Sequence, residues 1–215
     1  MKVSINDWQA YISKLAAINE AAAAETQAYI DAYGTANMTE LVNVAYSIAS
    51  KYGEASSALA CQMYDALALA QGATISPAEP TEATKYGDVA KAVYGIKKQD
   101  KVEQIPQAIE RMVKRSADET VLKNAQRDGA QYAWIPSGDP CAFCITIASR
   151  GWQYLSKKSK KVRAEHIHAN CKCTYSVRFN RTSTIEGYDP DKYLKMYYDA
   201  GSIEELRRQL DAKKS

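Results

Sequence analysis

Cysteine and histidine, the two side chains that most often bind zinc in structural sites, are concentrated in one stretch of this 215-residue chain. Four of the five cysteines and both histidines fall within residues 141–173. In chain order they are Cys141, Cys144, His166, His168, Cys171 and Cys173. Two thiolates separated by two residues can close on one ion from a tight turn, and a second pair farther along can complete a tetrahedron. The clustering therefore predicts a metal site that pins one domain.

Six candidate ligands compete for the four positions of a tetrahedral site. Residues two apart in an extended segment point the same way, so Cys171 and Cys173 can face one ion, whereas His166 and His168 would compete for a single position. The predicted ligands are Cys141, Cys144, His168 and one or both of Cys171 and Cys173. Four protein ligands leave no place for water or substrate, so the predicted role of the Zn²⁺ is structural.

Other interpretations of the cysteines stay open at this point. They could be reduced thiols with no shared role, they could form disulfides, or Cys141 and Cys144 could be a redox dithiol of the C-x-x-C kind. Pro140 completes a P-C-x-x-C motif like that of zinc deaminases, which also need an upstream H-x-E. No histidine precedes His166, which argues against deamination. Cys61, in an apolar helical stretch, is predicted to be a small core residue.

Composition describes an ordinary soluble protein, with 46% hydrophobic and 25% charged residues. The length suits one large domain or two small ones and is enough to bury a core. The N-terminal residues form no apolar signal core, and no run of about 18 apolar residues could cross a bilayer. We therefore expect neither export by a signal peptide nor a membrane partner.

Basic residues are concentrated in the half of the chain that carries the cysteines. Residues 1–100 have a net charge of −4. Since the whole chain has a net charge of +3, residues 101–215 have +7. A basic run begins at Lys157 and ends at Arg163, between the two groups of candidate ligands. Such a run could neutralise nucleic-acid phosphates, which makes DNA a candidate partner of this segment. A solvated loop is the alternative, because aromatic residues for base stacking do not alternate with the cations.

Apolar residues recur at helical spacing through the first part of the chain. A long first helix is predicted to end at Gly34, and two further helices are predicted on either side of a break or kink at Gly53. The segment with Pro77 and Pro80 has no periodicity and is predicted to be a linker. Three such helices would form an antiparallel bundle, so we assign residues 1–82 to a helical bundle and its linker.

Helical periodicity resumes over residues 84–97 and 101–128. The second of these helices is predicted to break at Ser116, since Ser116-x-x-Glu119 fits a capping box. The basic residues of this region are assigned mostly to a solvated face by default, and they are Arg111, Lys114, Arg115, Lys123 and Arg127. Shorter helices are predicted over 145–149, over 190–199 with Asp189 as N-cap and Gly201 as the stop, and from 202 onward, where Ser202-x-x-Glu205 fits a capping box.

The pattern changes to strands in the region that carries the cysteines. Residues 131–135 and 173–179 alternate as strands do, and a small antiparallel sheet with a zinc clasp at one end accommodates both. The predicted fold class is therefore mainly α, with an N-terminal helical bundle and a small α+β module over residues 83–215.

The motifs around the cysteines resemble a known family. C-x-F-C at 141–144 is followed by A-S-R-G at 148–151, and H-x-N-C-x-C occupies 168–173. Together with Trp134, these motifs resemble the MuF-like minor capsid proteins of tailed bacteriophages over about residues 130–179. Lys172, between the last two cysteines, stands where arginine is common in that family.

The resemblance implies a structural protein without enzymatic activity. A protein of this kind is made in the host cytoplasm and assembled in few copies into the virion, in the capsid interior or at the portal vertex. Its implied partners are the portal and major capsid proteins, and its implied role is head morphogenesis, with aid to DNA packaging or delivery as an extension.

Two alternatives come from other functional classes. A nucleic-acid-binding zinc module would use the basic half of the chain and would bind DNA with an affinity that falls steeply with salt. A metal-dependent hydrolase would need an open coordination position and a nearby acid or base such as Glu165 or Asp139. Neither carboxylate lies in a recognised catalytic arrangement.

Overall fold

The structure, a computed structural model, describes residues 2–82, 84–155 and 171–212. Helices dominate this part of the chain. The helices are α1 (Ile5–Tyr33), α2 (Met38–Ala70), α3 (Tyr86–Lys98), α4 (Ile105–Asp128), α5 (Ala142–Ala148), α6 (Pro190–Ala200) and α7 (Ile203–Ala212). The strands are β1 (Lys2–Val3), β2 (Gln131–Ile135), β3 (Gln153–Tyr154), β4 (Thr174–Arg178) and β5 (Thr184–Ile185). The predicted class, mainly α with a short antiparallel sheet, is confirmed. None of the helices described is long and apolar enough to span a bilayer.

The first two helices are long and pack against each other, and the predicted end of α1 at Gly34 is confirmed. The predicted break at Gly53 is wrong, because α2 continues through this residue for 33 residues in all. A glycine inside a helix costs only about 1 kcal/mol relative to alanine, which packing over many turns can outweigh. Gly53, Ser56 and Ala60 are all buried, so these small residues line a packed face of α2.

Helix α4 packs against both α1 and α2 and is central to the fold. The predicted break at Ser116 is wrong. The Ser116 hydroxyl donates to the Met112 carbonyl one turn back, at 3.3 Å, and so bonds inside a continuous helix without capping a new one. Helix α3 packs on α2 and α4, and lies where the periodicity predicts it.

Two large apolar clusters fill the core. One combines the ends of α1, α2 and α4 with the sheet, and includes Trp8, Tyr64 and Trp134. The other lies among α1, α2, α3 and α4, and includes Leu41 and Ile109. The first cluster takes residues from both sides of the predicted boundary between residues 82 and 83, and that division remains a prediction.

The connection from α2 to α3 has no regular secondary structure over residues 73–82, as its prolines predict. It is nevertheless tied to α4. The Asn124 side chain donates to the Glu79 carbonyl at 2.8 Å, and the Arg127 guanidinium donates to the Pro77 carbonyl at 3.0 Å. These bonds hold the connection along the surface of α4.

The three-stranded sheet has the order β3-β2-β4, with β2 antiparallel to both neighbours. Trp134 on β2 is opposite Tyr175 on β4, and Ile135 is opposite Thr174. The two longer strands are those that alternation predicts, and their antiparallel pairing is confirmed. A separate parallel pair joins β1 to β5.

The C-terminal helices follow the predicted capping signals. The Asp189 carboxylate accepts from the first backbone N–H groups of α6, and α6 ends at Gly201 in the left-handed conformation. The Ser202 hydroxyl accepts from the Glu205 N–H at the start of α7. Helix α5 starts at Ala142, earlier than predicted.

We expect opposite effects from alanine at two glycines. Gly129 ends α4 with φ 63° and ψ 26°, a left-handed conformation that an L side chain strains. Gly129→Ala should therefore lower the free energy of unfolding by roughly 1 kcal/mol. Gly95 lies inside α3, and a Cβ there would meet nothing within 4 Å. Gly95→Ala should raise the free energy of unfolding by roughly 0.5–1 kcal/mol. Urea unfolding measures both, and shifts of the same sign would contradict these backbone assignments.

Candidate metal centre

Helix α5 and the segment before β4 bring three cysteine sulfurs together. The Sγ atoms of Cys144, Cys171 and Cys173 all lie within 4.8 Å of one another. The Cys144 and Cys171 sulfurs are 3.5 Å apart. Thiolates at tetrahedral corners about 2.3 Å from a zinc ion would be about 3.8 Å apart, whereas a disulfide needs about 2.05 Å. The three cysteines are free thiols, and they lie close enough to hold one metal ion.

The local fold explains this convergence. Pairing of β4 with β2 places the start of β4 beside the turn that leaves β2. There the Ser137 N–H donates to the Cys173 sulfur at 3.4 Å. The same turn leads into α5, where Cys144 lies in the first turn and is 1% exposed. An N–H bond to a ligating sulfur fixes its orientation and moderates its charge, as outer contacts of metal sites do.

Cys141 is the N-cap residue of α5 and is half-buried. Its side chain hydrogen-bonds with Cys144, so it borders the cluster. The predicted ligands His168 and His166 lie outside the described residues, as do Glu165 and the basic run from 157 to 163. The predicted ligand set therefore remains a prediction, with Cys141 and His168 as candidates for the fourth position beside the three clustered cysteines.

The clustered thiols perturb one another's acidity. Hydrogen bonding from Cys144, reinforced by Cys173, lowers the pKa of Cys171 well below its usual range. Hydrogen bonding with Cys141 is the main cause that raises the pKa of Cys144. Hydrogen bonding among the sulfurs thus favours the thiolate form at Cys171 over Cys144, and a metal ion would need the ligating cysteines deprotonated.

The cluster is shielded from solvent. Cys171 is 7% exposed and Cys173 is 2% exposed. With a fourth protein ligand, a shell of buried sulfurs would have no position for a substrate or an activated water, which is the pattern of a structural metal site.

A buried ion pair lies beside the cysteines. The Lys114 ammonium is 2.9 Å from an Asp118 carboxylate oxygen, and the two side chains are 3% and 0% exposed. The Thr174 hydroxyl, next to Cys173 in sequence, donates to the other Asp118 oxygen at 2.6 Å. The Lys114 ammonium also lies 5.2 Å from the centre of the Trp134 ring. The pair therefore joins α4 to both long strands of the sheet.

Sequence reasoning missed this pair, since it assigned the cations of α4 to a solvated face. A signal was present nonetheless. Lys114 and Asp118 are spaced at i and i+4 on the same helical stripe as Val121 and Ala125, which are fully buried. Polar residues on an apolar stripe indicate a buried pair.

The family of the chain is established by a match that extends over most of its length. The family model of the VG15 protein matches residues 2–200. The chain belongs to the VG15 family. The match includes the bundle, the sheet and every candidate metal ligand. Membership of this phage-associated family indicates a bacteriophage protein. No curated protein and no solved structure matches this VG15 family member.

Proposed function

We propose that this VG15 family member is a structural minor head protein of a tailed phage that acts in head morphogenesis near the portal and is not an enzyme. One observation carries the proposal. The C-x-F-C and H-x-N-C-x-C motifs that resemble MuF-like minor capsid proteins supply Cys144, Cys171 and Cys173, which meet in one buried cluster. Membership of a phage family, together with motif residues that lie close together in the fold, supports a role like that of the MuF-like proteins.

The metal that suits this cluster best is Zn²⁺. Cysteine thiolates are soft ligands, and three or four of them with at most one histidine form the usual shell of structural zinc. When bound, the ion supplies a cross-link between α5 and the start of β4. Such a cross-link closes the chain between Cys144 and Cys171 and stabilises the fold by restricting the unfolded state.

The role in the head can be tested by assembly. The chain is co-expressed with the portal and major capsid proteins of its phage, and procapsids are isolated by sedimentation. We expect a few copies of the chain per procapsid, and far fewer in shells assembled without the portal protein. Procapsids that contain none of the chain would contradict a head protein. Equal incorporation without the portal would contradict a position beside it.

A nucleic-acid-binding module is the second candidate, and the +7 charge of residues 101–215 favours it. Affinity for duplex DNA, measured between low and high salt, distinguishes the two proposals. Tight binding that falls steeply with salt, from a chain that does not enter procapsids, would replace the structural proposal with the nucleic-acid one.

A further inference from the structure

The Lys114–Asp118 pair is unusual because both charges are removed from water. Lys114 is the one Lys or Arg that is buried among residues 2–82, 84–155 and 171–212, as far as side chains are described there. Taking two charges out of water costs several kcal/mol per ion, and apolar residues of similar size often serve stability equally well. Stability alone therefore gives no reason for a buried ammonium at this position.

The pair is close to the cysteines and acts on one of them. Thr174, which directly follows Cys173, fixes the Asp118 carboxylate at 2.6 Å, and that carboxylate fixes the ammonium at 2.9 Å. The Lys114 ammonium and the Asp118 carboxylate are both close enough to Cys171 to interact with it electrostatically. A positive charge at this distance attracts a thiolate in the cluster, whereas the carboxylate repels it.

A metal centre in this cluster would carry net negative charge. A divalent ion with three thiolates and a neutral histidine has a charge of −1, and with four thiolates a charge of −2. The sulfurs of Cys144, Cys171 and Cys173 have little contact with solvent, so water screens that charge weakly. Besides the Ser137 N–H that bonds to the Cys173 sulfur, a buried cation within reach can compensate this charge.

We propose that Lys114 is the counter-charge of the metal–thiolate centre, held in position by Asp118 and Thr174. This role rests on the metal site proposed above. Lys114 is a positioning residue that acts through the electrostatic field, and it does not contact the ion. The ammonium strengthens metal binding, whereas the Asp118 carboxylate weakens binding and serves to orient Lys114.

Two substitutions should have different effects on metal affinity. Lys114→Met keeps an apolar stem and removes the charge, and should weaken zinc binding at least tenfold. Asp118→Asn keeps an oxygen for the Thr174 hydroxyl and removes the negative charge, and should leave zinc binding unchanged or tighter. Both variants leave a buried polar partner behind, so both should melt at a lower temperature than the parent. Lys123→Met, at an exposed position of the same helix, should change neither quantity.

The experiment is competition for Zn²⁺ between the folded protein and a chromophoric chelator, with melting temperature measured on the same samples. Divergent affinities of the two variants, with melting temperatures lowered in both, support the counter-charge. Equal losses of affinity in both variants would reduce the pair to a packing element and overturn the inference. A parent that binds no zinc would overturn the proposed clasp itself, while a parent that binds zinc as tightly as Lys114→Met would overturn only the inference.

Discussion

Replacing Cys171 with serine is expected to abolish tight zinc binding and to lower the free energy of unfolding by more than about 3 kcal/mol. The Cys171 sulfur lies 3.5 Å from that of Cys144, inside the buried cluster. A serine hydroxyl does not ionise near neutral pH and is a poor zinc ligand. With one ligand gone, the link between α5 and β4 is lost, and the remaining buried thiols have no ion to bind.

The matched control is Cys61→Ser. Cys61 is half-buried on α2 and is not among the three clustered cysteines. We expect the Cys61→Ser variant to keep its zinc and its free energy of unfolding to change by less than about 1 kcal/mol. Zinc content by plasma mass spectrometry and urea unfolding measure the two effects. If Cys171→Ser retained the zinc and stability of the parent, the cluster would not be a metal clasp.

Trp134→Ala is expected to destabilise the protein by roughly 3–5 kcal/mol, the range for removal of a buried aromatic ring. Trp134 is 3% exposed. Its ring packs edge-on against Tyr175 of the neighbouring strand at 4.7 Å between centroids, and the Lys114 ammonium lies over it. The substitution leaves a cavity between β2, β4 and α4, and it removes the aromatic face that the buried cation contacts.

Tyr154→Ala is the matched control, since Tyr154 belongs to the same sheet but is 58% exposed. Its effect should stay within about 0.5 kcal/mol. Urea unfolding of both variants and the parent gives the comparison. Equal losses from the two substitutions would show that the β2–β4 face is not the packed side of this sheet.

The sequence correctly predicted strands and helix ends whose formation depends on neighbouring residues in the chain. Alternation located β2 and β4, Asp189 marked the start of α6, and Gly34 and Gly201 marked the ends of helices. These residues act through their own backbone conformation or nearest hydrogen bonds, so they can be recognised without knowledge of the tertiary fold.

Tertiary packing explains the errors. Gly53 and Ser116 have the local character of helix breakers, but both are buried in continuous helices. The parallel pairing of β1 with β5 joins residues far apart in the chain and has no local signal. Lys114 was assigned to solvent because its burial depends on how α4 packs against the sheet.

The candidate site shows the same division. Cysteine spacing predicted a cluster, and three of the predicted ligands, Cys144, Cys171 and Cys173, do converge. The arrangement of the three sulfurs could not be predicted from the sequence, because it requires β4 to pair with β2 and α5 to start beside the turn after β2. The counter-charge at Lys114 depends on the same packing and was not predicted.

The most direct test of the metal clasp is the zinc content of the parent protein purified without chelators, combined with alkylation of its thiols in the folded state. We predict one zinc ion per chain and protection of Cys144, Cys171 and Cys173 from alkylation until the metal is removed, with Cys61 as the unprotected reference. A chain without metal, with these three cysteines alkylated as readily before a chelator is added as after, would contradict the clasp.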